Sequence, residues 1–93
     1  MNPIVVKFGG SSLATAAQFE KVAAIIREAP ARRYVVASAP GKRFDGDTKV
    51  TDLLYCCYDA ACAGQEFAPV LDEIRQRFAD IIGALRLSAN LEP

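Results

Sequence analysis

Histidine is absent from this 93-residue sequence. The chain therefore contains no Ser-His-Asp triad, no histidine-liganded zinc site and no imidazole that acts as acid or base. It has three cysteines, an odd number that argues against a disulfide framework and favours a reducing, cytoplasmic environment. These absences exclude several classes of enzyme and most small secreted scaffolds.

Excess charge and long apolar runs are also missing. Eleven lysines and arginines balance eleven acidic residues, so the net charge is zero. A neutral chain has no electrostatic reason to bind nucleic acid or an anionic membrane, and we expect neither as a partner. No apolar run approaches the roughly 20 residues that cross a bilayer, and the N-terminal residues lack a signal-peptide layout.

The composition, with 52% hydrophobic and 24% charged residues, is that of a globular protein. Apolar periodicity predicts strands over 4–8 and 34–38, and helices over about 15–28, 48–63 and 66–85. Both strands are apolar enough to indicate burial. Two such strands joined by a helix predict a right-handed parallel βαβ unit within a β-α-β-α-α order.

Two strands are few for a parallel sheet, which normally has more strands and helices on both faces. We interpret residues 1–93 as the N-terminal part of a larger α/β protein with an incomplete parallel sheet. The alternative is a small complete α/β domain that dimerises through its unpaired sheet edge. In either case we expect a homo-oligomer or self-association through that edge.

The end of the first strand and the glycine-rich turn over 9–12 that follows it form one candidate segment, with residues Lys7, Phe8, Gly9, Gly10, Ser11 and Ser12. Two glycines allow backbone N–H groups to approach a phosphate, and the next helix adds its positive end. Lys7 would contribute an ammonium group to the same anion. The competing interpretation is a tight strand-to-helix turn whose lysine extends into solvent.

Two further hydroxyl residues follow predicted element boundaries. Ser38 ends the second strand, where its hydroxyl would face the same crevice as Lys7, or would simply cap a turn. Thr51 and Asp52 open the next helix. Thr51 and nearby N–H groups suit a small anionic substrate, whereas the structural interpretation is N-capping and charge–dipole complementarity.

Other chemistry-bearing residues favour structural roles. Cys56, Cys57 and Cys62 lack the spacing of metal ligands, so we predict small apolar packing residues and no metal site. The loop over 40–49 contains three basic residues interrupted by Asp45 and Asp47, and we interpret it as solvated.

Taken together, three motifs are more specific than any one of them. The chain resembles the start of aspartokinases, which belong to the amino acid kinase family. The resemblance lies in the segment Lys-Phe-Gly-Gly-Ser-Ser from Lys7, in the strand that ends Val-Ala-Ser-Ala at Ala39, and in Val-Thr-Asp-Leu-Leu from Val50. The resemblance covers the whole chain. The loop over 40–49 is longer than the common aspartokinase version, which is little more than Met-Gly-Gly.

The resemblance implies a carbamate kinase-like three-layer α/β fold and ATP-dependent phosphorylation of the L-aspartate β-carboxylate, in the pathway to lysine, threonine and methionine. It implies a phosphate-binding segment over 7–11 and catalytic charge stabilisation by Lys7. It further implies that Ser38 lies near the phosphates or the aspartate, and that Thr51 binds aspartate. ATP and Mg²⁺ would be required, with the Mg²⁺ ligands outside this chain.

The resemblance also implies a truncated catalytic domain, because the nucleotide-base pocket, further active-site residues and the regulatory ACT domains lie beyond the matched part. We therefore expect the 93 residues to be inactive alone. The alternatives are a non-catalytic anion-binding or assembly module derived from an amino acid kinase, and an amino acid kinase with another acceptor.

Overall fold

A computed structural model describes residues 2–91. Its elements, in chain order, are β1 (Ile4–Phe8), a 3-10 helix (Gly10–Leu13), α1 (Ala16–Glu28), β2 (Arg32–Ala37), α2 (Val50–Cys62) and α3 (Ala68–Leu85). The predicted β-α-β-α-α order is confirmed. The glycine-rich turn adds the short 3-10 helix, which periodicity did not predict.

The helices begin and end where local chemistry favours it. Thr15 is the N-cap of α1, and its side-chain oxygen accepts a hydrogen bond from the Gln18 N–H. Pro69 lies in the first turn of α3, where a missing N–H costs nothing. Gly64 follows α2 with a φ of 69°, a left-handed conformation that glycine adopts without strain.

The two strands pair in parallel, with Val6 opposite Val35 and Phe8 opposite Ala37. Side chains alternate across the sheet, so Val6 and Phe8 share one face and Lys7 lies on the other. Phe8 is buried against Leu13 of the 3-10 helix and Val22 of α1. Lys7 is exposed.

A second buried cluster joins α2 to α3 through Val50, Leu53 and Ile74. The radius of gyration is 15.6 Å, larger than the roughly 12 Å expected for a compact domain of this length. The described residues thus form two small clusters rather than one central core.

Several predicted burial assignments are wrong for the described residues. Val36 of β2 is 50% exposed and Tyr34, on the same face of the sheet, is 55% exposed, because no buried cluster within residues 2–91 covers that face. Val35, on the opposite face, is also exposed. Cys56 and Cys62 are exposed rather than packed, whereas Cys57 packs against the second cluster. Leu54 and Tyr58 of α2 are also exposed.

No helix within residues 2–91 is long and apolar enough to cross a membrane.

Candidate functional site

A cleft of about 470 Å³ lies beyond the carboxyl ends of both strands. Four predicted site residues line it, namely Gly10, Ser11, Ser38 and Thr51. Five further residues complete the lining: Ala39, Pro40, Gly41, Lys42 and Lys49. The topology therefore brings together three segments that are far apart in sequence, at the position where open α/β sheets bind ligands.

The wall of the cleft is built from backbone contact between two glycines. The Gly41 N–H donates a 2.8 Å hydrogen bond to the Gly10 carbonyl oxygen. A Cβ on Gly41 would lie 2.8 Å from the Gly10 carbonyl carbon, and a Cβ on Gly10 would lie 3.0 Å from the Ala39 carbonyl oxygen. Only residues without side chains allow the two loops to approach so closely.

The remaining residues of the predicted phosphate segment lie beside the cleft rather than in its lining. Lys7 is exposed on the sheet face opposite the Phe8 side chain. Phe8 itself is buried, and its carbonyl oxygen accepts a hydrogen bond from the Ser38 N–H at 3.0 Å. Gly9 is the extended N-cap residue of the 3-10 helix. Phe8 thus fixes the turn through packing, while any role of Lys7 and Gly9 toward a ligand stays a prediction.

Thr51 lies in the first turn of α2, but it is not the capping residue. The N-cap of α2 is Lys49, and no side chain caps this helix end. The Val50 N–H instead donates to the Pro40 carbonyl oxygen at 3.1 Å, which ties the start of α2 to the loop after β2. This arrangement removes the capping interpretation of Thr51 and leaves its exposed side chain in the cleft lining.

The loop after β2 is exposed over 42–46 and at 48 and 49, as predicted for a solvated loop, and an ion pair orders it. Arg43 donates to both carboxylate oxygens of Asp47, from Nε at 2.7 Å and from Nη2 at 2.9 Å. The side-chain hydrogen bond from Arg43 holds the pKa of Asp47 well below its usual range, and the same bond raises the pKa of Arg43. Because Arg43 neutralises Asp47, Lys42 and Lys49 give the cleft a positive lining.

Arg77 of α3 is the residue that the sequence interpretation missed. Its side chain is only 4% exposed, although arginine is rarely buried. Arg77 lies three residues after Ile74 and four before Ile81, both of which are buried. That helical spacing places the arginine within the apolar face, which is a signal that the sequence alone carries.

The donors around the cleft suit an anion. They are backbone N–H groups of the turn, the hydroxyls of Ser11, Ser38 and Thr51, and two ammonium groups. No carboxylate belongs to the cleft lining, and no group of three metal-ligating side chains occurs within residues 2–91. The described cleft can therefore hold phosphate or carboxylate oxygens but supplies no cage for a cation.

Comparison with known proteins agrees with this geometry. The model of the amino acid kinase family matches residues 2–89. The chain belongs to the amino acid kinase family. Within this family it is 46% identical over 87 residues to aspartokinase 3 of Bacillus subtilis (strain 168), covering 94% of this chain and 19% of that protein.

A solved member of the amino acid kinase family has the same fold over this region. The crystal structure of Clostridium acetobutylicum aspartate kinase superposes with a TM-score of 0.93 at 43% identity, and the match covers 97% of this chain and 21% of that one. The predicted fold class is confirmed. The chain spans about a fifth of the length of each of these two relatives.

Proposed function

We propose that these residues form the N-terminal part of the catalytic domain of an aspartokinase. The reaction would transfer the γ-phosphoryl group of ATP to the β-carboxylate of L-aspartate, forming 4-phospho-L-aspartate and ADP. The observation that carries the proposal is the convergence of Gly10, Ser38 and Thr51 on one anion-compatible cleft. The similarity to two aspartokinases supports aspartate as the acceptor.

The glycine-rich turn would bind the phosphates. Gly9, Gly10 and Ser11 lie where the 3-10 helix begins, so N–H groups are available to an anion at that end. Lys7 would stabilise charge on the transferring phosphoryl group from the neighbouring strand end. Lys42 and Lys49, which line the cleft, would raise the local positive potential. Phosphoryl transfer requires mostly positioning and positive charge, and it requires no histidine.

Thr51 would bind aspartate, because it faces the cleft from α2, across from the turn that would hold the phosphates. Ser38 directly follows β2 and lines the same cleft. Its hydroxyl would contact either the phosphates or the aspartate. The arrangement would bring the acceptor carboxylate and the γ-phosphate together within one cleft, which is the main requirement for this reaction.

Mg²⁺ would arrive with ATP, and its protein ligands would lie outside these residues, since no carboxylate belongs to the cleft lining. For the same reason we propose that residues 1–93 do not catalyse the reaction alone. The exposed apolar strand residues Tyr34, Val35 and Val36 would be covered by further polypeptide or by a second copy. The three cysteines are unpaired, as expected for a cytoplasmic enzyme.

A hydroxylamine-trapping assay tests the proposal. The natural polypeptide that carries these residues is incubated with MgATP and L-aspartate, and the acyl phosphate is trapped as its hydroxamate. We expect aspartate-dependent hydroxamate and ADP formation, and neither from residues 1–93 alone. If acetylglutamate, carbamate or uridylate is the acceptor instead, the chain is an amino acid kinase of other specificity. If no acceptor supports ADP formation, the interpretation as a non-catalytic anion-binding or assembly module is correct.

A further inference from the structure

The guanidinium group of Arg77 donates hydrogen bonds to Gly41, which lines the candidate cleft, and to Ala14 and Thr48, which lie close in sequence to other lining residues. We propose that Arg77 is a positioning residue that sets the geometry of the cleft without touching the ligand. What the cleft binds rests on the function proposed above. The role of Arg77 in holding the segments together rests on its three hydrogen bonds.

Arg77 donates to three backbone carbonyl groups from three separate segments. Nη2 donates to the Gly41 oxygen at 2.7 Å and to the Ala14 oxygen at 3.1 Å, and Nη1 donates to the Thr48 oxygen at 3.1 Å. Ala14 follows the 3-10 helix, Gly41 lies in the loop after β2, and Thr48 precedes α2. One side chain thus joins α3 to the turn, the loop and the start of α2.

Two of these carbonyl groups belong to residues directly coupled to the cleft. Gly41 accepts from Arg77 and donates to the Gly10 carbonyl oxygen, so one residue connects the arginine to the glycine-rich turn. Thr48 lies three residues before Thr51, at the start of the segment that enters α2. Arg77 itself is not part of the cleft lining, which separates it from a catalytic residue.

The chemistry of the site requires arginine specifically. Burial lowers the pKa of Arg77, yet a guanidinium keeps its charge in proteins. Within residues 2–91 its one ion-pair partner is Asp47, whose carboxylate lies 3.8 Å from Nη1 and is shared with Arg43. The planar group supplies rigidly spaced donors on two terminal nitrogen atoms to the three carbonyls, whereas a lysine carries all its donors on one nitrogen atom.

A buried charge of this kind is costly, so a stabilising role alone explains it poorly. Replacing buried ion pairs with apolar residues is often neutral or stabilising. Arg77 lies between Ile74 and Ile81 on an apolar helix face, where leucine would pack without desolvating a charge. The arginine provides what leucine lacks, namely directional contacts to three loops that must keep a fixed separation.

The test compares Arg77→Lys with Arg75→Lys, an exposed arginine on the same helix, in the natural polypeptide. Amide hydrogen exchange is measured over 10–14 and 40–51 and, as an internal reference, over α1. We expect faster exchange in the first two segments of Arg77→Lys only. We also expect KM for aspartate to rise and kcat/KM to fall by about 10- to 100-fold, since displacement by about 1 Å can cost 10²-fold.

A merely structural role predicts a different pattern. General destabilisation would accelerate exchange in α1 as well, and it would reduce the amount of active enzyme without changing KM. Unchanged exchange over 10–14 and 40–51 would overturn the proposal. If Arg77→Lys does not fold, Arg77→Gln takes its place, and failure of both to fold would overturn the positioning role by making Arg77 a determinant of the whole fold.

The exchange experiment is independent of the acceptor. If the wild-type protein does not phosphorylate aspartate but exchange changes locally in Arg77→Lys, the proposed function is wrong and the positioning role stands. If aspartate is phosphorylated and neither KM nor local exchange changes, the positioning role is wrong and the proposed function stands.

Discussion

The Gly41 N–H lies 2.8 Å from the Gly10 carbonyl oxygen, so the turn after β1 and the loop after β2 are in direct backbone contact. The contact joins the two strand ends below the cleft that Ser38 and Thr51 also line. Its closeness depends on two residues without side chains. The separation of the two loops is thereby set by main-chain atoms, which leaves little room for adjustment.

Gly41→Ala is expected to destabilise the fold and distort the cleft. The new Cβ would lie 2.8 Å from the Gly10 carbonyl carbon and 3.0 Å from the Ser11 nitrogen, and both are backbone atoms that cannot rotate away. Overpacking of this kind costs about 1–3 kcal/mol. Urea unfolding gives the change in the free energy of unfolding.

Gly83→Ala is the matched control, because nothing lies within 4 Å of the position its Cβ would occupy in α3. It should stabilise the helix by about 0.5–1 kcal/mol. Equal stability of Gly41→Ala and wild type would mean that the two loops separate without cost, contrary to the geometry described here.

Lys7→Ala in the natural polypeptide should reduce kcat by about 10²–10³-fold, the usual loss when one donor to transition-state charge is removed. The expectation follows from the position of Lys7 at the end of β1 beside the glycine-rich turn, with its side chain exposed. Lys21→Ala, an exposed lysine on α1, controls for the loss of one positive charge. Steady-state kinetics with both variants decide the matter, and an unchanged kcat in folded Lys7→Ala would leave Lys7 with a structural role.

Local patterns in the sequence were sufficient for the order of elements. The apolar run at Ile4–Phe8 and the proline in the first turn of α3 predict elements that the structure contains. The predicted burial of β2 is wrong for the described residues. Alternation and β-branching indicate only that a strand suits apolar surroundings. They do not say which part of the chain provides those surroundings, and residues 2–91 leave Val36 half exposed.

The cleft was predictable only in part. Gly10, Ser38 and Thr51 follow strand or helix ends, so topology alone brings them to one edge. Lys42 and Lys49 were discounted because the neighbouring acidic residues would offset their charge, yet Asp47 is instead paired with Arg43. Arg43 and Asp47 are four residues apart, and whether they meet depends on the path of the loop, which no periodic pattern describes. The helical spacing of Arg77 indicates its burial but does not identify its hydrogen-bond partners, which lie 29 to 63 residues before it in the sequence.

The Arg43–Asp47 pair should make stability sensitive to acid. Its hydrogen bonds lower the pKa of Asp47 in the folded chain, so the stabilisation is fully present above the unfolded pKa of about 3.9 and declines as the pH falls below it. Because Arg43 is 37% exposed, we expect only about 0.5–1 kcal/mol at pH 7.

Urea unfolding of wild type and Asp47→Asn at several pH values measures this contribution together with that of the longer ion pair between Asp47 and Arg77. The difference in free energy of unfolding should be largest near neutral pH and shrink progressively below pH 3.9. Asp45→Asn, on the same loop and exposed, controls for the loss of one carboxylate. A difference that grew on acidification would contradict the assigned sign.

Thr51→Val separates substrate binding from helix stability. Valine keeps the shape of the side chain and removes the hydroxyl, which lines the cleft from the first turn of α2. Losing one hydrogen bond to a charged ligand costs about 1.5–3 kcal/mol, or roughly 10- to 150-fold in affinity. We therefore expect KM for aspartate to rise by that factor and KM for ATP to stay constant.

Thr15→Val provides the matched control, because Thr15 is the N-cap of α1 and does not line the cleft. It should lower Tm through loss of the cap while both Michaelis constants stay at their wild-type values. Thr51→Val should do the reverse, since Lys49 rather than Thr51 is the N-cap of α2. If the constant for ATP rises instead, or if only Tm falls, Thr51 does not bind aspartate, and the hydroxyl serves the nucleotide or the helix.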